Sequence, residues 1–198
     1  EFPPINIDKP NSEKPIIVNH GNPRVASKKY WIQVGNDLGA DTADQTGDGF
    51  GKSVSLSDDG NMLVVGSPGD SGNRNTKGTG RLNVFRLQDG EWQDAGEIPG
   101  DLGFSQTTPT AGNYYGSSVK FNGDASIMMV GAPQGLEAGP GFIRIFSHSQ
   151  NSTLTDVWTT IGSFAGTSTG QGFGTSVSCN SDASVIAVGS PYLSNDKG

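Results

Sequence analysis

One phrase, running from an aromatic-Gly pair to a Gly-Ser/Ala-Pro triplet, occurs three times in the chain without a gap. The first copy starts Gly49-Phe50-Gly51-Lys52-Ser53-Val54-Ser55-Leu56 and ends Val64-Val65-Gly66-Ser67-Pro68. The second runs from Tyr114-Tyr115-Gly116-Ser117-Ser118-Val119 to Val130-Gly131-Ala132-Pro133. The third runs from Gly172-Phe173-Gly174-Thr175-Ser176-Val177 to Val188-Gly189-Ser190-Pro191. Self-similarity over such a length constrains architecture more than any single motif, because every copy must build the same unit and the units must stack.

Each unit holds four strand candidates. Residues 52–57 place Val54 and Leu56 on one face, and Met62 to Val65 is a short apolar run suited to burial on both faces. Between them lies Ser57-Asp58-Asp59-Gly60-Asn61, where Asp-Gly signals a tight hairpin. The other copies carry Gly123-Asp124-Ala125 and Ser181-Asp182-Ala183 and lack the glycine after Asp. A different turn type is therefore expected in them. A third strand is predicted at Gly80-Arg81-Leu82-Asn83-Val84-Phe85 and at Gly141-Phe142-Ile143-Arg144-Ile145-Phe146, where apolar and polar residues alternate. A tryptophan phrase supplies the fourth: Trp31 to Gly39, Trp92 to Gly100 and Trp158 to Gly166.

Four short antiparallel strands repeated about every 60 residues describe an all-β chain of β-propeller blades. A sandwich does not require its hairpins to resemble each other, and parallel solenoids use much shorter coils. Residues 1–30 read as an N-terminal extension with Pro3, Pro4 and Pro10, containing an orphan strand candidate at 14–20. The repeats occupy 31–198: a fourth-strand phrase at 31–39, a blade at 49–100, a blade at 114–166 and a half-blade at 172–198. Two full blades flanked by two half-blades cannot close a ring of roughly four to eight. The favoured expectation is a natural chain that continues beyond Gly198; the alternative is that half-blades of different molecules complete each other.

The composition suits this reading. Thirty of 198 residues are glycine and 17% are charged, which favours tight turns over helices. A net charge of −7 with no basic stripe argues against a nucleic-acid partner. No apolar run is long enough to span a membrane. The single cysteine, Cys179, aligns with Leu56 and Phe121 and reads as a small buried apolar residue. Asn151-Ser152-Thr153 is a glycosylation sequon.

Phe50-Gly51 with Val65-Gly66-Ser67-Pro68 resembles the FG-GAP repeat of the integrin-α-type propeller. So do Tyr115-Gly116 with Gly131-Ala132-Pro133, and Phe173-Gly174 with Gly189-Ser190-Pro191. The resemblance covers about residues 31 to 198. It implies blades of a seven-bladed propeller in a secreted or cell-surface protein whose loops bind proteins or other ligands. The sequence departs from the family in one respect. Many such repeats carry an Asp-x-Asp-x-Asp-Gly calcium loop between the first two strands. The turn at 57–61 is too short to supply the roughly six to eight oxygens calcium takes, so the chain reads as a short-turn variant without that loop.

Residues that could carry chemistry are few. There is no nucleophile elbow, no metal-spaced His/Cys cluster and no phosphate loop, so a non-enzymatic chain is expected. His20 and His148 lie outside the core repeat, His148 reading as an exposed strand end. Asp41, Asp44 and Asp48 are weak calcium candidates, though their spacing fits no defined motif. Asp48, Asn113 and Gln171 share one aligned position and read as polar caps on nearby backbone. Trp31, Trp92 and Trp158 recur at one place per blade, which favours a role between blades over sugar stacking. Pro68, Pro133 and Pro191 close the repeated phrase. Tyr114 is an extra aromatic beside the packed Tyr115 and is the best binding candidate. The expected function is adhesion, scaffolding or assembly outside the cell or at its surface, through loops and open strand edges. Its partners would be proteins or further blades of the same or a neighbouring chain. The alternative is a glycan-binding, lectin-like propeller.

Overall fold

The alternating apolar residues fold as their period demands. The structure is a computed structural model that describes residues 32–39, 48–69, 80–99, 114–133, 139–150 and 156–192. All regular structure among these residues is β. The first blade comprises β1 (Ser53–Leu56), β2 (Met62–Ser67), β3 (Arg81–Gln88) and β4 (Glu91–Pro99). The second comprises β5 (Ser118–Phe121), β6 (Ile127–Ala132), β7 (Phe142–Gln150) and β8 (Asp156–Ala165). A third hairpin pairs β9 (Ser176–Cys179) with β10 (Ile186–Gly189). Strand order is β1-β2-β3-β4 and β5-β6-β7-β8, every pair antiparallel. This is the partial propeller expected from the repeat, with the orphan strand candidate at 14–20 outside the described residues.

Register repeats with the sequence. Val54 faces Val65, Val119 faces Val130 and Val177 faces Val188. The outer pair of each blade carries a bulge where the tryptophan phrase has its inner glycine. It lies opposite Val84 at Ala95–Gly96, and at Ile161 beside Gly162. Gly96 takes a positive φ of 118°, a conformation that suits glycine there.

The core lies between the two blades. Met62, Val64, Leu82, Val84 and Ala95 of the first meet Tyr115, Val119, Phe121, Met128, Val130, Phe142 and Phe146 of the second. Trp158 packs against this cluster, its ring stacked on Phe121 at 5.6 Å. Tyr115 is fully buried beside Phe142, with the Arg144 guanidinium 5.9 Å from its ring centre. Its hydroxyl finds no hydrogen-bond partner among the described residues, and burial pushes its ionisation well above the ordinary tyrosine range.

Three expectations need correction. Residues 32–39 contain no strand. They lie against Trp92 instead: Asn36 Oδ1 accepts from the Trp92 amide at 2.8 Å, and the indole donates to the Val34 carbonyl at 3.2 Å. An outer strand needs an inner edge to pair with, and none is described beside these residues. The three hairpin turns, secondly, share one type. Gly60, Ala125 and Ala183 have φ of 73°, 56° and 57°, so alanine adopts the left-handed conformation that glycine supplies in the first copy. Finally, His148 is no exposed strand end. It lies within β7, its ring is tilted against Trp158 at 4.7 Å, and Nε2 is 2.7 Å from Asp156 Oδ1.

Candidate functional site

The repeated residues build a seam that occurs twice. Ser53 Oγ, at the start of β1, donates to the Gly116 carbonyl of the second blade at 2.7 Å. Ser118 Oγ, at the start of β5, donates to the Gly174 carbonyl at 2.8 Å. The glycine paired with each serine leaves room for that carbonyl. A methyl group on Gly66 would collide with the Gly116 oxygen, and one on Gly131 with the Gly174 oxygen. The aromatic of each phrase bridges to the glycine just before β3 or β7, Tyr115 to Gly80 and Phe173 to Gly141. At the hairpin tips the Asp58 amide donates to the Gly123 carbonyl, and the Gly123 amide to the Ser181 carbonyl, both at 2.7 Å. The aromatic-Gly phrase is therefore a docking piece, and the preceding hairpin is its seat.

Two faces of this arrangement are open. Val119 and Phe121 are 7% and 0% exposed because the first blade covers them. Their counterparts Val54 and Leu56 are 61% and 51% exposed. At the other end Ser176, Ser178 and Ala187 are exposed, whereas Ser55 and Val64 at two of those positions are buried.

A polar cleft of about 540 Å³ runs between the outer strands of the two blades, lined by Arg86, Gln88, Gln93, Asp94, Gln150 and Asp156 among others. Arg86 Nη2 crosses from the first blade to Asp156 Oδ1 of the second at 2.7 Å, and Gln150 donates to the same oxygen. Burial acts to raise the Asp156 pKa. Hydrogen bonds from His148, Arg86 and Gln150 outweigh it and hold the carboxyl below 3.8. The sequence gives little hint of this cluster, because Arg86 and Asp156 belong to different repeats and sit at positions the repeats do not share.

The turn carboxylates are committed to their own turns. Asp59 accepts from Ser57 Oγ and from the Asn61 backbone and side chain. Asp124 accepts from Asn122 and Ser126, and Asp182 from Ser184. These bonds lower all three pKa values, led by Ser57, Ser126 and Ser184 respectively. Among the described residues no group of three or more His, Cys, Asp or Glu could hold a metal ion.

The remaining sequence candidates are scattered. Asp48 Oδ1 accepts from the Phe50 amide at 3.1 Å, and Gln171 Oε1 accepts from the Thr167 and Ser168 amides, both as caps. Trp158 stands at the seam between blades, while Trp92 faces residues 34–36. Tyr114 is 44% exposed on a left-handed residue, its carbonyl taken by Ser117. Cys179 is half-buried, its thiol 3.7 Å from the Phe121 carbonyl, and burial pushes its pKa up. Trp31, Asp41, Asp44, Asn113 and the Asn151 sequon lie outside the described residues, as does His20. No helix among the described residues is long and apolar enough to cross a membrane.

Comparison with known proteins bears on the repeat. The FG-GAP repeat family matches residues 39–85. No curated protein matches the sequence. Among solved structures, Sqt1 of Chaetomium thermophilum aligns at 12% identity and TM-score 0.42, over 68% of this chain and 28% of its own. The periplasmic gluconolactonase PpgL of Pseudomonas aeruginosa aligns at 12% identity and TM-score 0.45, over 70% of this chain and 36% of its own. The chain thus spans well under half the length of either. The first copy matches an FG-GAP repeat directly, and the other two copies repeat its hairpin and register, in a chain whose four-stranded antiparallel sheets are β-propeller blades.

Proposed function

We propose that the chain is a non-enzymatic segment of a secreted or cell-surface β-propeller protein, serving adhesion, scaffolding or assembly through its loops and open blade faces. One observation carries this reading. The apolar positions that one blade buries against its neighbour stand exposed on the other, so the chain presents a ready-made surface for protein contact. The charged side chains at the seam and in the turns are engaged in bonds that hold the fold.

The test is a coated-surface attachment assay with cells and matrix proteins. Saturable attachment that Leu56→Asp weakens fits the proposal; no attachment to any protein surface overturns it. A glycan-binding role is the second reading, favoured by exposed Tyr114 and by the cleft between Arg86, Gln93 and Gln150. Saturable binding on a glycan array, lost in Tyr114→Ala, would replace the first reading with the second.

A further inference from the structure

We propose that the β9–β10 hairpin is a preformed seat for the first blade of a second copy of the chain, so that copies associate head to tail. The proposal rests on the reading of the open blade faces as binding surfaces and names their partner. It follows from the seam that the chain makes twice within itself.

Each internal seam has three parts on the receiving hairpin. They are a serine hydroxyl for the incoming glycine carbonyl, a glycine that leaves room for it, and a turn amide for the incoming tip carbonyl. The β9–β10 hairpin has all three. Ser176 occupies the position of Ser53 and Ser118, and Gly189 that of Gly66 and Gly131, in the same strand register. Ser176 Oγ lies over Gly189 as Ser53 Oγ lies over Gly66 and Ser118 Oγ over Gly131. The space above Gly66 and Gly131 is occupied by a carbonyl of the next repeat. Above Gly189 the nearest atoms among the described residues are those of its own hairpin partner Ser176, and no carbonyl of a further repeat stands among them, so the seat is formed and has no described occupant.

The matching piece is the face of the first blade. Phe50-Gly51 is the docking phrase, with the Gly51 carbonyl in the place of Gly116 and Gly174. Exposed Val54 and Leu56 stand where Val119 and Phe121 are buried. In the assembled pair Ser176 Oγ donates to the Gly51 carbonyl, and the Ser181 amide to the Asp58 carbonyl. Seat and piece are different surfaces, so the contact is heterologous and propagates from copy to copy.

Sedimentation velocity from low micromolar to submillimolar concentration tests this on the 198-residue chain. Wild type is expected to give a ladder of oligomers or a closed ring whose population rises with concentration. Gly189→Leu fills the seat and Leu56→Asp charges the docking face, so each variant alone is expected to sediment as a monomer. An equimolar mixture should form a heterodimer and stop there, because one intact seat meets one intact face. Ser176→Ala should weaken association by about fivefold, the worth of one hydrogen bond. Circular dichroism and melting must show each variant folded; Leu56→Asp and Ser176→Ala alter exposed positions, so the test stands if Gly189→Leu does not fold. A wild-type monomer at all concentrations overturns the proposal, as does association undiminished by both Leu56→Asp and Ser176→Ala. A folded variant pair that fails to combine overturns it too. Failure here leaves attachment of the open faces to other proteins intact, which the coated-surface assay reads separately.

Discussion

The first and second blades share strand order, register and the bulge in the outer pair, yet one covers its leading face and the other does not. Phe121 is fully buried and Leu56 half exposed at the same position of the same strand. Their surroundings differ only because the second blade has a neighbour on that side. In a stacked repeat, burial is therefore a property of the junction and not of the unit. What a substitution costs depends on which copy carries it.

The largest contrast should come from that pair of residues. Phe121→Ala removes a ring from the core and is expected to cost about 3–5 kcal/mol, whereas Leu56→Ala should stay within about 0.5 kcal/mol in the monomer. Chemical denaturation of both variants checks this. Equal losses would mean that the leading face of the first blade is covered in solution.

Tyr115→Phe should move the other way. It removes a hydroxyl that is buried without a partner among the described residues and restores the residue type found at Phe50 and Phe173. A gain of about 1 kcal/mol is expected, because an unsatisfied buried group carries its full desolvation penalty. Destabilisation would show that the hydroxyl is bonded after all.

Ala183→Gly relaxes a left-handed alanine in the third hairpin and should stabilise by about 0.5–1 kcal/mol, while Gly60→Ala in the first should destabilise by about as much. Melting temperatures of the two variants read the sign directly.

Acid should weaken the seam between the two blades. The Asp156 pKa is depressed on folding, so its carboxylate adds stability above the unfolded value near 3.8, and that contribution fades as pH falls through the lower folded value. Asp156→Asn is expected to flatten the acid limb of the stability profile below about pH 4. An unchanged limb would show that the bonds to Arg86 and His148 do not form in solution.

Strands and hairpins were legible in the sequence because they depend on local pattern. Alternation set the faces of β1 and β3, and the five-residue turn at 57–61 set the first hairpin. The tryptophan phrase correctly marked β4 and β8. It marked no strand at 32–39, where the chain bonds to Trp92 through Asn36 and Val34 instead. The left-handed alanines were hidden for a related reason. Ala125 and Ala183 carry no turn signal of their own; Asp124 and Asp182 hold those turns through side-chain bonds. The Arg86–Asp156 contact escaped because its members meet only once two repeats have stacked, whereas His148 reaches Asp156 across β7 and β8 of one blade.

The repeated hydrogen bonds of the seam reach mostly main chain. A hydroxyl finds a glycine oxygen, and the gap that admits it needs only the lack of a side chain. Bonds of this kind recur from junction to junction whatever side chains flank them. Each new junction then needs only its own apolar fit, as Met62, Val64 and Leu82 supply for Phe121 and Met128. A chain of this design can lengthen by copying one phrase and adjusting the side chains that meet across it.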